Sequence, residues 1–231
     1  DAGASSLATA MRENKCLEHL DVSRADSVGT VGIEELSAAL RLHPKLQSLT
    51  LDSKPLPVAQ LVGGDDANPS LDVAGMGLGE RSSFAMGALF AGNRLVSNVN
   101  VANNPIGARG IERLVRGLSD SPLKALNIAR TGLQEVDDTA ISALTATLCR
   151  LGLISELVLD ENELSCSEAT LAPICKLRQL RTLSLEKNKL SRIPNLIGTM
   201  LSLRKLRLFS NGLTELPASL CLLTALEVLD V

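Results

Sequence analysis

The stretch Leu180–Leu190, LRTLSLEKNKL, decides the fold because close copies of it lie on both sides. Ile154–Leu164 reads ISELVLDENEL and Leu203–Leu213 reads LRKLRLFSNGL, so all three fit LxxLxLxxNxL. The alternation of apolar and polar residues at the centre of the pattern is typical of a short β-strand with one buried face. One such unit cannot bury its apolar face alone, so neighbouring units must stack and share a core.

Looser copies extend the pattern over the whole chain. They start at residues 17, 46, 68, 96 and 123, and a truncated ninth copy starts at residue 226. The fourth and sixth positions are apolar in every copy; the fourth positions are Leu20, Leu49, Leu71, Val99, Leu126, Leu157, Leu183, Leu206 and Leu229. This register predicts nine strands whose fourth and sixth residues point inward and whose intervening residues point outward.

The chain resembles the leucine-rich repeat superfamily along essentially its whole length. The resemblance implies an α/β solenoid, curved and right-handed, with a parallel concave sheet of about eight or nine short strands. The N-terminal copies have long amphipathic returns and resemble ribonuclease-inhibitor-like repeats, with helices on the convex side. The C-terminal copies resemble the typical 23-residue repeats, with irregular or short-helical returns. We expect one domain over residues 1–231, a segment of a longer protein because neither end carries a polar cap.

In this superfamily the Asn at the ninth position bonds backbone groups of adjacent repeats. Asn104, Asn162, Asn188 and Asn211 can do so, and Thr131 can in part. The first three copies have Ala25, Lys54 and Met76 instead, so we expect a regular second half and an irregular beginning. Residues 55–69, PLPVAQLVGGDDANP, are too short for a full helical return and predict a loop or a single turn.

Composition excludes several functions. Aromatic residues make up 1% of the chain, which disfavours binding of single-stranded nucleic acid by base stacking, and the net charge of −3 offers no field for polyanions. No apolar run reaches the roughly 18 residues of a membrane span. The five cysteines have no CxxC spacing, which favours buried free thiols in a reducing compartment. We therefore expect a cytoplasmic protein without nucleic-acid partner, cofactor or metal.

Candidate catalytic features are weak. His19 and His43 are the only histidines, and neither has an evident catalytic partner in the sequence. The run from Gly75 to Gly79 lacks the spacing of a phosphate loop and is better read as a repeat turn. The segment Gly63–Asp66 has too few carboxylates for Ca²⁺. The sequence predicts that the chain is not an enzyme.

The concave surface is the candidate site. Its outward positions run from an acidic strand through a mixed strand to a basic strand, and the predicted partner-binding residues are Glu156, Asp160, Glu161, Arg181, Lys187, Arg204, Lys205, Arg207 and Phe209. Phe209 is an outward aromatic beside cations, a composition typical of an interface hot spot. Pairing such as Glu161 with Lys187 is the alternative explanation of these charges. Phe84 and Phe90 are predicted to be core residues.

The predicted function is a protein-interaction module that binds a partner protein on its concave face, as a scaffold or adaptor. Two alternatives remain open on the sequence. One is a ligand-sensing or autoregulatory segment of a larger signalling protein, such as a nucleotide-binding receptor or a GTPase. The other is a regulator of a small GTPase, for which no residue singles itself out.

Overall fold

The computed structural model describes residues 2–25, 27–64, 68–133, 138–165 and 168–231, with the backbone alone for 138–143, 151 and 168–170. Ten three-residue strands are described, one more than the nine that the motif predicts. They are β1 His19–Asp21, β2 Ser48–Thr50, β3 Pro55–Pro57, β4 Ser70–Asp72, β5 Asn98–Asn100, β6 Ala125–Asn127, β7 Glu156–Val158, β8 Thr182–Ser184, β9 Lys205–Arg207 and β10 Val228–Asp230.

Helices connect the strands in the N-terminal part. They are α1 Ala2–Glu13, α2 Thr30–Leu40, α3 Val58–Val62, α4 Glu80–Leu89, α5 Gly107–Gly117, α6 Asp138–Leu151 and α7 Glu168–Ile174. After α7 the returns contain only the 3₁₀ helices Asn195–Thr199 and Ala218–Leu222 in the described residues. This change from long to short returns follows the two repeat types in the sequence.

The strand register confirms the motif register. Strands β4 to β10 form one seven-stranded parallel sheet, in which the fourth-position residues Leu71, Val99, Leu126, Leu157, Leu183, Leu206 and Leu229 lie side by side. All of these except Leu229 are buried, and Leu229 on the edge strand is 42% exposed. One apolar core runs from Ala8 to Leu223, and it includes the buried Phe90, with Phe84 packed against it. The architecture is an α/β solenoid.

The expectation of a single concave sheet is wrong at the second repeat. Strand β2 pairs with β1 in parallel, but its other edge pairs antiparallel with β3, so a three-stranded sheet precedes the seven-stranded one. Leu56 of β3 lies opposite Leu49, and both are fully buried. Pro55 and Pro57 lack N–H donors, which suits a strand that pairs on one side only. Residues 55–62 thus form a strand and a five-residue helix, where we predict a loop or one turn.

The asparagines at the ninth position form the expected backbone ladder. Asn188 is the fullest example: its Nδ2 donates to Leu159 O at 3.1 Å and Leu185 O at 2.9 Å, and its Oδ1 accepts from Asn162 N at 3.1 Å and Leu164 N at 3.0 Å. Asn104, Asn162 and Asn211 each bond carbonyl groups of their own and the preceding repeat. Thr131 Oγ1 donates to Ile128 O of its own repeat at 2.8 Å and to Asn162 Oδ1 of the next repeat at 3.4 Å.

The repeats without Asn are held by Arg81 on α4, which the sequence did not reveal. The Arg81 guanidinium donates to Leu51 O at 3.2 Å, Val22 O at 3.4 Å and Ala25 O at 3.0 Å. Val22 and Leu51 occupy the sixth motif position of the first two repeats. In the later repeats, the asparagines of the ladder bond the carbonyl group at this position. The carboxylate of Asp52 accepts from the backbone N–H groups at the start of α4. One side chain therefore replaces the missing ladder.

Candidate functional site

The outer face of the seven-stranded sheet presents the side chains that flank each buried central residue. In β9, Lys205 and Arg207 are exposed on either side of the buried Leu206, and in β4 Ser70 and Asp72 flank Leu71 in the same way. This alternation follows from the pleat of a strand.

The eighth motif position forms a column of left-handed turns along one rim of the sheet. Its residues have φ between 52° and 63° and are Gly75, Asn103, Arg130, Glu161, Lys187 and Ser210. Each backbone N–H of the column from Gly75 to Lys187 donates to the seventh-position carbonyl of the next repeat, as from Lys187 to Phe209 O at 2.8 Å. A left-handed conformation costs a residue with a Cβ roughly 1–2 kcal/mol, so the inter-repeat bond must offset this cost.

Two predicted site residues belong to this rim and are bound to each other. Glu161 accepts hydrogen bonds from Arg130 on one side and from Lys187 Nζ at 3.1 Å on the other. These two cationic donors hold the pKa of the Glu161 carboxyl below its ordinary value. The rim charges of three consecutive repeats thus compensate one another, which is the alternative that the sequence leaves open.

Three more predicted residues also have partners within the solenoid. Arg204 pairs with Glu227 at 2.5 Å, and Arg207 lies 3.9 Å from Glu186. Asp160 Oδ1 accepts from Glu186 N at 2.8 Å. These side chains stabilise contacts between repeats, so a partner would have to compete with those contacts.

Four predicted residues have no side-chain partner in the described part of the chain: Glu156, Arg181, Lys205 and Phe209. Arg181 and Lys205 lie on neighbouring repeats, where Lys205 N donates to Arg181 O at 2.9 Å. Phe209, the seventh-position residue after β9, is 51% exposed. An aromatic side chain and two uncompensated cations therefore share the C-terminal part of the face, and Glu156 lies on β7, two strands from Lys205 in the same register.

A second region of the face contains one predicted residue, Glu156, and was otherwise not predicted. A depression of about 290 Å³ lies over β4 to β7, and we call it the polar depression; its polar lining residues are Ser70, Asp72, Asn98, Asn100, Asn127 and Glu156. Of this set only Glu156 is among the predicted partner-binding residues, although Asp72 is charged as well. The signal that could have found the rest is the Asp or Asn at the fifth position of the third, fourth and fifth repeats.

The features considered for catalysis remain scattered. His19 Nδ1 lies 2.9 Å from Ser48 Oγ across β1 and β2, a contact that the sequence did not suggest, and the pair is exposed on the sheet. Within the described residues, no group of three His, Cys, Asp or Glu side chains is placed to hold a metal ion. No described helix is long and apolar enough to cross a membrane. Asp65 and Asp66 lie outside the described residues.

The four cysteines that the structure describes are free, but their burial differs from the expectation. Cys175 is buried, whereas Cys16, Cys149 and Cys221 are exposed, so the prediction of buried thiols is wrong for these three. Cys166 lies outside the described residues. The apolar positions of the motif bury Leu and Val, and these three cysteines fall between them.

A protein-family model and several solved structures are similar to this chain. The family model described as Leucine Rich Repeat matches residues 179–200, which contain β8 and its return. Among solved structures, a leucine-rich repeat protein of Leptospira interrogans is 20% identical, with a TM-score of 0.49, and the match covers 97% of this chain and 57% of that one. Human trophoblast glycoprotein is 21% identical at a TM-score of 0.48, and the match covers 60% of this chain and 51% of that one.

Internalin C2 of Listeria monocytogenes is 18% identical at a TM-score of 0.46, and the match covers 77% of this chain and 85% of that one. The chain thus spans just over half the length of the first two structures. No curated protein sequence matches it significantly.

Proposed function

We propose that this chain, a leucine-rich repeat protein, binds a partner protein on the outer face of its seven-stranded sheet and acts as a scaffold or adaptor. The observation that carries the proposal is Phe209, an aromatic side chain half exposed on a sheet whose other described aromatics are in or against the core. A few anchor residues, enriched in aromatic side chains and Arg, contribute most of the binding free energy in many protein interfaces.

The uncompensated charges give the partner a chemical character. Lys205 lies in the repeat that carries Phe209 and Arg181 in the repeat before it, and no described carboxylate pairs with either. A partner carboxylate can bind these two cations without breaking an ion pair of the solenoid. A carboxylate that binds Arg204 or Arg207 would break one. We expect the contact to comprise an apolar side chain on Phe209 and an acidic side chain at the two cations, with the paired residues at its rim.

Partner capture with matched variants tests the proposal. The wild-type chain and the double variant Lys205→Glu plus Phe209→Ala would be immobilised at equal density in a cytosolic extract, and bound proteins compared by quantitative mass spectrometry. We expect at least one protein to be lost with the double variant. The control is Lys45→Glu plus Leu42→Ala, which alters an exposed cation and an exposed apolar residue outside the sheet.

Both variants change exposed side chains, so their thermal unfolding should match the wild type within a few degrees. Equal recovery of every protein by the wild type and the Phe209 variant would remove the basis of the proposal. Loss of the same proteins with the control would show that the binding surface lies elsewhere.

A further inference from the structure

The polar depression owes its shape to one small side chain. The first residues of β5, β6 and β7 lie in register as Asn98, Ala125 and Glu156. The methyl group of Ala125 stands between two longer side chains, and this leaves the volume of about 290 Å³ above the sheet. That volume lies just below the roughly 300–1,000 Å³ of small-molecule pockets and suits one or two side chains of a partner.

The polar groups of the depression are held in place by the backbone. Asp72, Asn100 and Asn127 each accept, through Oδ1, the N–H of the residue two positions later, at 3.0, 3.2 and 3.0 Å. These contacts leave one oxygen of Asp72 and the amide NH₂ groups of both asparagines without partners in the described structure. A fixed row of donors and acceptors loses little side-chain entropy when it binds.

The charge of the depression is negative and uncompensated. Asp72 and Glu156 lie at its two ends, three strand spacings and two residues along the strand apart, or roughly 16 Å, and neither forms an ion pair in the described structure. No lining residue is cationic. Glu161, by contrast, has two cationic partners. The depression therefore complements a positively charged group between amide donors.

We propose that the polar depression receives an arginine or lysine side chain from an extended segment of the partner protein. The cation lies against Asp72 or Glu156, and the NH₂ groups of Asn100 and Asn127 donate to carbonyl groups of the same segment. This inference rests on the proposed function, because the basic side chain belongs to the same partner whose acidic side chain we expect near Phe209. The partner segment then carries charges of opposite sign along its length.

Synthetic peptides test this without knowledge of the partner. Two fluorescein-labelled ten-residue peptides of Gly and Ser, one with four Arg and one with four Glu at the same positions, would be titrated with the full chain at 20 mM salt and followed by fluorescence anisotropy. We expect tighter binding of the Arg peptide. The double variant Asp72→Asn plus Glu156→Gln should raise its Kd at least about fivefold, since the charge-assisted contact is lost whichever of the two carboxylates makes it.

The control is Glu13→Gln plus Glu35→Gln, which changes the net charge equally on α1 and α2 and should alter the Kd less than about twofold. In ¹H–¹⁵N spectra, the Arg peptide should shift the side-chain amide signals of Asn100 and Asn127. Equal Kd values for the two double variants, or unshifted amide signals, would overturn the inference.

The outcomes also separate this inference from the proposed function. Lys205→Glu plus Phe209→Ala should not raise the Kd of the Arg peptide, because the new carboxylate lies only two strands from Glu156, while this variant loses the captured partner. If the Arg peptide binds as expected and that variant loses no partner, the proposed function fails and the site in the depression stands. If that variant loses the partner but Asp72→Asn plus Glu156→Gln leaves the Kd of the Arg peptide unchanged, the site in the depression fails and the proposed function stands.

Discussion

Replacement of Arg81 by Met should destabilise the first two repeats selectively. Met keeps an apolar stem of similar length, so the change isolates the guanidinium. Three carbonyl groups lose their donor, those of Leu51, Ala25 and Val22, at 3.2, 3.0 and 3.4 Å. Hydrogen bonds to a charged donor contribute about 1.5–3 kcal/mol each, but here one donor group serves all three and the longest bond is weak.

The buried Arg81 Nε has no acceptor in the described structure, which lowers the net contribution further. We expect a loss of about 2–3 kcal/mol in the local free energy of unfolding. Because 1.36 kcal/mol corresponds to a tenfold change in the equilibrium constant for local opening, amide protection in β1 and β2 should fall about 30- to 150-fold.

Hydrogen exchange measured by mass spectrometry suits this test better than a single melting curve, because solenoids can open repeat by repeat. Protection in β8 and β9 should stay within about threefold of the wild type. The control is Arg109→Met, whose side chain is 80% exposed and lies 3.8 Å from Glu80, and it should cost less than about 0.5 kcal/mol. Equal losses in the two variants, or equal loss of protection in β1 and β8, would refute the reasoning.

Three further predictions use other contacts. Gly117→Ala would place a methyl group 2.1 Å from the backbone O of Gly87, so the packing of α4 on α5 should loosen and chemical denaturation should show a loss of about 2–4 kcal/mol. Glu161 has a lowered pKa when folded, so its stabilising effect is present above its ordinary value near 4.5 and is lost as the pH falls through the folded pKa; Glu161→Gln should remove this acid sensitivity in melting curves. Burial raises the pKa of Cys175 to about 11, so iodoacetamide at pH 8 should alkylate the exposed Cys221 first, as peptide mass spectrometry would show.

The regular part of the fold follows from the sequence because the signal is periodic. Leu71 to Leu229 recur at one motif position, and a parallel sheet aligns the same position of successive units. The break at β3 does not follow, since Pro55 and Pro57 in a sequence indicate a turn and give no hint of an edge strand. Its pairing depends on where Leu56 can be buried, which is a property of the packed core.

The site was less predictable than the fold for a physical reason. The motif gives the direction of each outward side chain, and Phe209 is exposed as expected. It does not give the pairing of charges, because Arg204 and Glu227 meet only through strands that are 23 residues apart in sequence. Arg81 is a similar case, since its acceptors lie in repeats 56 to 59 residues away for two of its bonds.

The pairing of charges decides which part of the sheet is free to bind. A surface ion pair contributes little to stability, yet a partner that disrupts it must replace both interactions. Glu161, Lys187 and Arg204 are therefore less available than their exposure suggests. The groups without partners lie at two places, the C-terminal repeats that carry Arg181, Lys205 and Phe209, and the polar depression. Because the first is basic and the second acidic, a partner segment with one arrangement of charges fits both, and its reverse fits neither.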